Sequence, residues 1–422
     1  ASNNTAVGTS ALYLNTTGTA GTALGKGALQ ANTTGSDNTG LGALALLGTT
    51  TGGFNVAVGR SALQSNTTAS YNTAVGYNSL FATTTGQQNV AIGGDAMDAN
   101  TTGGDNTAVG TSALGANTTA SNNTAVGKSA LSANTTGTQN IAIGTNALDA
   151  NTTANYNIAI GFDALGANTT GTENTAIGTN ALDVNTTASY NTAVGVSALG
   201  ANTTGANNTA VGRTALVANT TGYQNIAIGT SAGDTITTGA GNICIGAGAN
   251  TATSGRVFSI TMGRDVTSVG DYYFTFGVDA DAHRVYNNFT SNATWIRASD
   301  ERIKKDISTN TDCGLDFIND LRTVTYKFKA PSELDSSMTG YDASKTESIH
   351  KDKMYGFIAQ EVKATMEAHN ITDFAGHNEL DDDGDNMQGI SYEMFVMPLV
   401  KSIQELSTQL DAALARIETL EG

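Results

Sequence analysis

The residues best equipped for chemistry lie together at Ser299-Asp300-Glu301-Arg302-Ile303-Lys304-Lys305. A serine hydroxyl is a weak nucleophile until a base takes its proton. The usual base is scarce: histidine occurs at 283, 350, 369 and 377, and only His283 lies within fifty residues of Ser299. A lysine serves instead when desolvation or nearby cations lower its pKa. Lys304 is the candidate. Taken alone, a serine five residues before a lysine is nearly worthless as a signal, and a solvated charge run is the usual explanation.

The elements that must carry this segment begin with a repeat. The glycine closing the motif Asn-Thr-Ala-Val-Gly falls at Gly8 and then at every seventeenth residue to Gly246, giving 15 units without an insertion. The consensus reads N-[TIV]-A-[VI]-G-x-x-A-L-x-x-N-T-T-[GA]-x-x. A surface loop tolerates changes of length. A coil stacked on its neighbours does not, because one extra residue breaks every ladder bond beyond it. The period therefore predicts a parallel β-solenoid, one turn per unit. At about 4.8 Å per coil its length is roughly 70 Å.

In Asn4-Thr5-Ala6-Val7-Gly8, positions 2 and 4 point one way and position 3 the other. Position 2 is often Val or Ile and position 4 nearly always so, which predicts that this face lines the coil, joined by the Leu of position 9 (Leu12, Leu63, Leu114). Position 3 is Ala in 13 units, Gly40 in one and Cys244 in one. Such small residues suggest close approach of another backbone, hence three coils packed through their Ala faces. The alternative is a single-chain solenoid with Ala facing a tight turn. The recurrent Asn suit turns and should form ladders up the stack. Asn-x-Thr triplets match glycosylation acceptors, but the repeat itself demands them.

Composition narrows the function. Only 6% of residues are aromatic, as suits a narrow stacked interior rather than one large globular core. Residues 1–298 carry 8 Lys+Arg and 13 Asp+Glu, and residues 299–422 carry 12 and 24, giving −5 and −12, which sum to the chain's −17. An acidic chain without a basic stripe is a poor nucleic-acid binder. No stretch of 18 apolar residues predicts a membrane span. Cys244 and Cys313 stand in unrelated contexts, so no intrachain disulfide is expected. Ala1 opens inside a repeat, which reads as a fragment whose attachment region is missing. The shaft acids are scattered, whereas a glycosidase needs a fixed carboxylate pair in a cleft. Residues 251–298 are richer in aromatics, among them Phe258, Tyr272, Tyr273 and Trp295, and alternate like strands. They read as a β-rich neck capping the solenoid, with a carbohydrate site there as the lesser reading.

The repeats resemble the left-handed β-roll heads of trimeric autotransporter adhesins, although those repeats are usually shorter. The segment from Ser299 resembles the endosialidase-type intramolecular chaperone, a C-terminal domain of phage tail fibres and tailspikes. That family's motif has Ser, then Asp, Arg at +3 and Lys at +5, places filled here by Ser299, Asp300, Arg302 and Lys304. Three further stretches are collinear with it: a helix at Gly314–Arg322 leading into a strand at Val324–Phe328, a strand-to-helix segment at Tyr355–Val362, and Ile390–Met394 ahead of the last helix. The resemblance implies a domain that trimerises, folds the repeats upstream, and cuts itself off between Ala298 and Ser299. Ser299 is then the nucleophile and Lys304 the base, with Asp300 and Arg302 in supporting roles.

The last helix carries Leu399, Ile403, Leu406, Leu410, Ala413, Ile417 and Leu420 at alternating steps of four and three, a coiled-coil seam. Three strands come from the resemblance. The turn Asp381–Asp385 fits a calcium loop poorly: a start at Asp382 puts Met387 where the sixth position needs Gly. The expected architecture is thus mainly β: a trimeric solenoid at 1–250, a neck at 251–298, an α+β chaperone at 299–398 and a coiled coil at 399–422. It needs no cofactor or metal. The expected partners are two further copies of itself and a host cell-surface receptor, with a glycan foremost, and the expected place is a virion or an extracellular surface. A bacterial surface adhesin carrying the same self-cleaving tail is the alternative. An ice-binding array is disfavoured, because the paired threonines (Thr16, Thr17) point to opposite sides.

Overall fold

The computed structural model describes residues 1–279, 283–290, 296–297, 305, 307–336, 341–348, 352–380 and 387–421. They fall into two compact units, 1–303 and 304–422.

The first unit is a parallel β-solenoid. Sixteen strands of three residues, β1 (Thr5–Val7) to β16 (Ile260–Met262), succeed one another at seventeen-residue intervals. Each pairs in parallel with the next in strict register, for example Ala108 with Ala125 and Ala125 with Ala142. The stack runs one rung beyond the sequence motif. In that rung Ser259 takes the Asn place and donates from both N–H and Oγ to the Oδ1 of Asn242. β17 (Tyr273–Gly277) adds in parallel, and β18 (Arg284–Asn288) and β19 (Ile296–Arg297) then pair antiparallel, so the chain reverses at the end of the stack. An open coil edge needs such a cap.

The two strand faces are the reverse of the sequence expectation. Position 3 points into the coil: Ala57, Ala108, Ala142 and Cys244 are fully buried. Positions 2 and 4 point outward, with Ile92 41% and Ile228 42% exposed. The reason is volume. Each turn encloses room for one Leu at position 9, buried as expected, plus the methyls of positions 3 and 8. Beside that Leu a Val or Ile at position 3 does not fit, and the Ala face, being interior, cannot be a contact between chains. Burial also pushes the Cys244 thiol up to about 12, and both Cys244 and Cys313 are free.

Glycine at position 5 is fixed twice over. Gly8 has φ +128°, and a Cβ there would stand 2.6 Å from the Gly25 carbonyl oxygen of the next rung. The Asn ladders are present in the interior. The Asn106 Oδ1 accepts the Asn123 N–H at 2.9 Å, and its Nδ2 donates to the Ala120 carbonyl at 2.9 Å. A second ladder runs through position 12, as from Asn117 Nδ2 to Asn100 Oδ1 at 2.9 Å. A third, outside, joins Thr hydroxyls to carbonyls one rung on, as from Thr67 to Thr84.

The second unit is small and mixed. It contains α1 (Leu315–Asp320), β20 (Val324–Tyr326), β21 (Met354–Gly356), α2 (Ala359–Ala368), β22 (His377–Leu380), β23 (Met387–Ile390) and α3 (Val396–Glu421). β20 and β21 pair antiparallel, as do β22 and β23. Phe317, Val362, Met366, Ile371 and Phe395 form its core. Phe374 meets both Phe317 and Phe395 edge-on, at 5.6 and 5.0 Å between ring centres. No helix among the described residues is long and apolar enough to cross a membrane.

Candidate functional site

Ala298, Ser299, Asp300, Arg302 and Lys304 lie outside the described residues, and so does the acidic turn Asp381–Asp385. The described residues give the frame into which that segment leads. The Asn310 side chain accepts the amides of Asp312 and Cys313 at 3.1 and 3.2 Å, a turn that delivers the chain to Gly314 and α1. The first amide of α1, Leu315 N–H, is then taken by Oε2 of Glu405 on α3 at 2.7 Å. An exposed helix-start amide has no partner of its own, and here a carboxylate ninety residues away supplies one. The Leu315 amide, and after it Lys401 at 3.2 Å, hold the Glu405 carboxyl below its ordinary value.

Two segments singled out separately in the sequence meet each other. Phe357, in the strand-to-helix stretch, donates its N–H to Tyr392 Oη at 2.9 Å. The two rings stack with centres 5.8 Å apart. Gly356 has no Cβ because that hydroxyl occupies the space. A cavity of about 680 Å³ opens beside this pair, lined by Thr325, Tyr355, Gly356, Phe357 and Tyr392 among others.

Two ion pairs brace α2, and a histidine–carboxylate contact lies at its C-cap. Arg322 grips Glu361 with two nitrogens, Nε at 2.9 Å and Nη2 closer, which lowers the Glu361 pKa and raises that of Arg322. Lys363 pairs with Glu379. His369 Nε2 lies 2.7 Å from Asp320 Oδ2. A second cavity, about 690 Å³, lies along α2 between Lys363, Met366, Ile371, Phe374 and His377.

The sequence reading missed Glu405 and the Gly356–Tyr392 pairing. Glu405 has no local signature, since it is one acid among several on a coiled-coil helix. The second had a trace: Gly356 breaks a strand, and an isolated strand glycine often marks a close approach.

Residues 299–371 match the model of the family described as Chaperone of endosialidase. Domains of that family are serine-type and self-cleaving. In sequence order the β-solenoid is thus followed by a segment similar to endosialidase chaperone domains. The match begins at Ser299 itself and stops short of β22, β23 and α3. No curated protein and no solved structure matches the chain significantly.

Proposed function

We propose that this chain is part of a trimeric fibre of a phage-like particle, and that its C-terminal unit aligns three copies, lets the rungs stack, and then cuts itself away once. The observation that carries this reading is the family match starting at Ser299, directly after a β-solenoid. Ser299 Oγ attacks the Ala298 carbonyl while Lys304 takes the hydroxyl proton. The C–N bond to Ser299 breaks, the proton passes to the freed amine, and an ester joins Ala298 to Ser299 Oγ. Water then hydrolyses the ester, leaving a carboxylate on Ala298 and restoring the hydroxyl. Arg302 and Asp300 support the geometry.

Two unpartnered rows support association with further copies. On the rod, position 4 is Val, Leu, Ile or Met at all sixteen rungs and faces outward. Together these side chains expose on the order of 1,000 Å², about what one partner contributes to a standard interface. On α3 the seam residues Leu399, Ile403, Leu406 and Leu410 are 47–67% exposed. Because near-identical rungs can pair in the wrong register or with the wrong chain, the characteristic failure of repeat proteins, a clamp that aligns chains first and leaves afterwards makes the product kinetically stable. The rod would then engage a host-surface receptor.

The test is a denaturing gel of the purified chain. Two fragments, 1–298 and 299–422, are expected, with Ser299 as the first residue of the smaller. Ser299→Ala should leave a single band. An intact wild-type chain under native assembly conditions would refute the proposal.

A further inference from the structure

The last position of each unit forms an outward row distinct from the apolar one. Its residues hold positive φ, such as Tyr156 at 60°, Glu173 at 56° and Tyr190 at 63°, so the backbone sets where each side chain leaves the rod. From Asn3 to Phe258 this row contains no Lys, Arg, Leu, Ile or Val. It is made of amides, acids and aromatics, with one Ala and one Gly.

Where two aromatics occupy adjacent rungs, they close on each other. Phe54 and Tyr71 stack with centres 5.0 Å apart and planes 2° from parallel. Tyr156 and Tyr190 do not, because Glu173 holds the rung between them. Two rungs separate them by roughly 10 Å. Both tyrosines are more than half exposed, at 56% and 55%. At this place the rod surface has a shallow cavity of about 370 Å³, lined by Tyr156, Glu173 and Thr175.

We propose that Tyr156, Glu173 and Thr175 form a binding site for a neutral glycan, one pyranose ring packing on Tyr156 in that cavity with Tyr190 flanking it two rungs on. The apolar faces of a saturated sugar ring pack on aromatic faces. Its hydroxyls donate to the Glu173 carboxylate and pair with the Thr175 hydroxyl. The row has no cation to receive a phosphate, sulfate or sugar carboxylate, and Glu173 repels them, so an anionic glycan is disfavoured. The absence of aliphatic side chains disfavours a lipid. Tyr156 and Glu173 leave the rod before the strand begins, and Thr175 borders the outward strand face. The inference goes beyond the fibre reading and does not depend on cleavage.

The experiment is saturation-transfer NMR on the full chain, run on wild type and Ser299→Ala alike. The probes are neutral hexasaccharides of glucose, N-acetylglucosamine, mannose and galactose, with an α2,8-sialic acid oligomer as the anionic comparison. At least one neutral probe should bind. Tyr156→Ala and Tyr190→Ala should each weaken it tenfold or more, and Glu173→Lys should abolish it. Tyr71→Ala, in the closed stack, should leave it unchanged. Circular dichroism reports whether each variant keeps its rod. Three outcomes overturn the site: no neutral probe binds, only the anionic probe binds, or Tyr71→Ala costs as much as Tyr156→Ala. A failed gel test with intact sugar binding would remove the cleavage reading alone.

Discussion

Glu405 and Leu315 are ninety residues apart in the chain and 2.7 Å apart in space, the carboxylate of one receiving the amide hydrogen of the other. The bond ties the start of α1, just after the proposed nucleophile segment, to the helix carrying the coiled-coil seam. Its pH dependence has a definite sign. The Glu405 carboxyl is held below its ordinary value, so its stabilisation is present above the unfolded-state pKa and is lost as pH falls through the depressed one. Amides of Leu315–Asp320 should therefore be protected from hydrogen exchange at neutral pH and lose protection in acid. Glu405→Ala should lower protection at neutral pH and abolish the acid step. An undiminished step in that variant would show that another group is responsible.

Tyr392 and Gly356 make a second pair. Tyr392→Phe removes the acceptor for the Phe357 amide and should cost about 0.5–1.5 kcal/mol of stability in the C-terminal unit. Gly356→Ala places a methyl against the Tyr392 hydroxyl and should cost about 1–3 kcal/mol through overpacking. In the double variant the methyl meets less obstruction, so the two costs should sum to less than their separate values. Urea melts of the four proteins measure this coupling. Strict additivity would mean that the two groups do not compete for space.

The buried Asn ladder predicts a position-specific effect. Asn106→Ala strips the partner from the Asn123 N–H and the Ala120 carbonyl inside the rod. Each buried group left unpaired costs about 1–3 kcal/mol. Asn122→Asp, on the surface row where Asp105 already holds the same left-handed φ, should stay within about 0.5 kcal/mol. Equal melting temperatures for the two variants would contradict the ladder's role.

The exchanged faces of the strand can be tested with two substitutions one residue apart. Ala125→Leu overfills the interior and should destabilise the rod itself by about 1–3 kcal/mol or more. Val126→Lys, in an outward row, should leave the single-chain fold intact. Together with Val109→Lys and Ile143→Lys it should prevent chain association, as sedimentation would show. If the triple lysine variant sediments like wild type, the outward row is not the contact between copies.

Much of the rod was legible in the sequence because a strict period fixes both the coil and the position of every ladder residue. The alternation within Thr124-Ala125-Val126 told that two faces exist. It did not tell which was inside, because the rule that larger apolar residues go inward assumes a roomy core. A seventeen-residue turn has none: Leu131 and two methyls fill it. The sixteenth rung was hidden because Ser259, Thr261 and Met262 replace the motif residues while keeping their hydrogen bonds and register. In the C-terminal unit α1, β20, β21, α2 and α3 were marked in the sequence, whereas β22 and β23 were not. The contacts of Glu405 with Leu315 and of Tyr392 with Phe357 were not, since each joins residues tens of positions apart and no local pattern encodes such pairs.

The register that pairs Ala108 with Ala125 and Ala125 with Ala142 has an evolutionary corollary. Seventeen consecutive shaft residues can be excised and the cut ends rejoined with strand again meeting strand and, in most units, Asn meeting Asn and Gly meeting Gly. Recombination between the near-duplicate units can therefore shorten or extend the rod by single steps of about 4.8 Å, whereas an insertion of any other size dislocates everything beyond it. Reach is thus inherited in quanta, and a lineage can tune how far its tip stands from its base without redesigning a single turn.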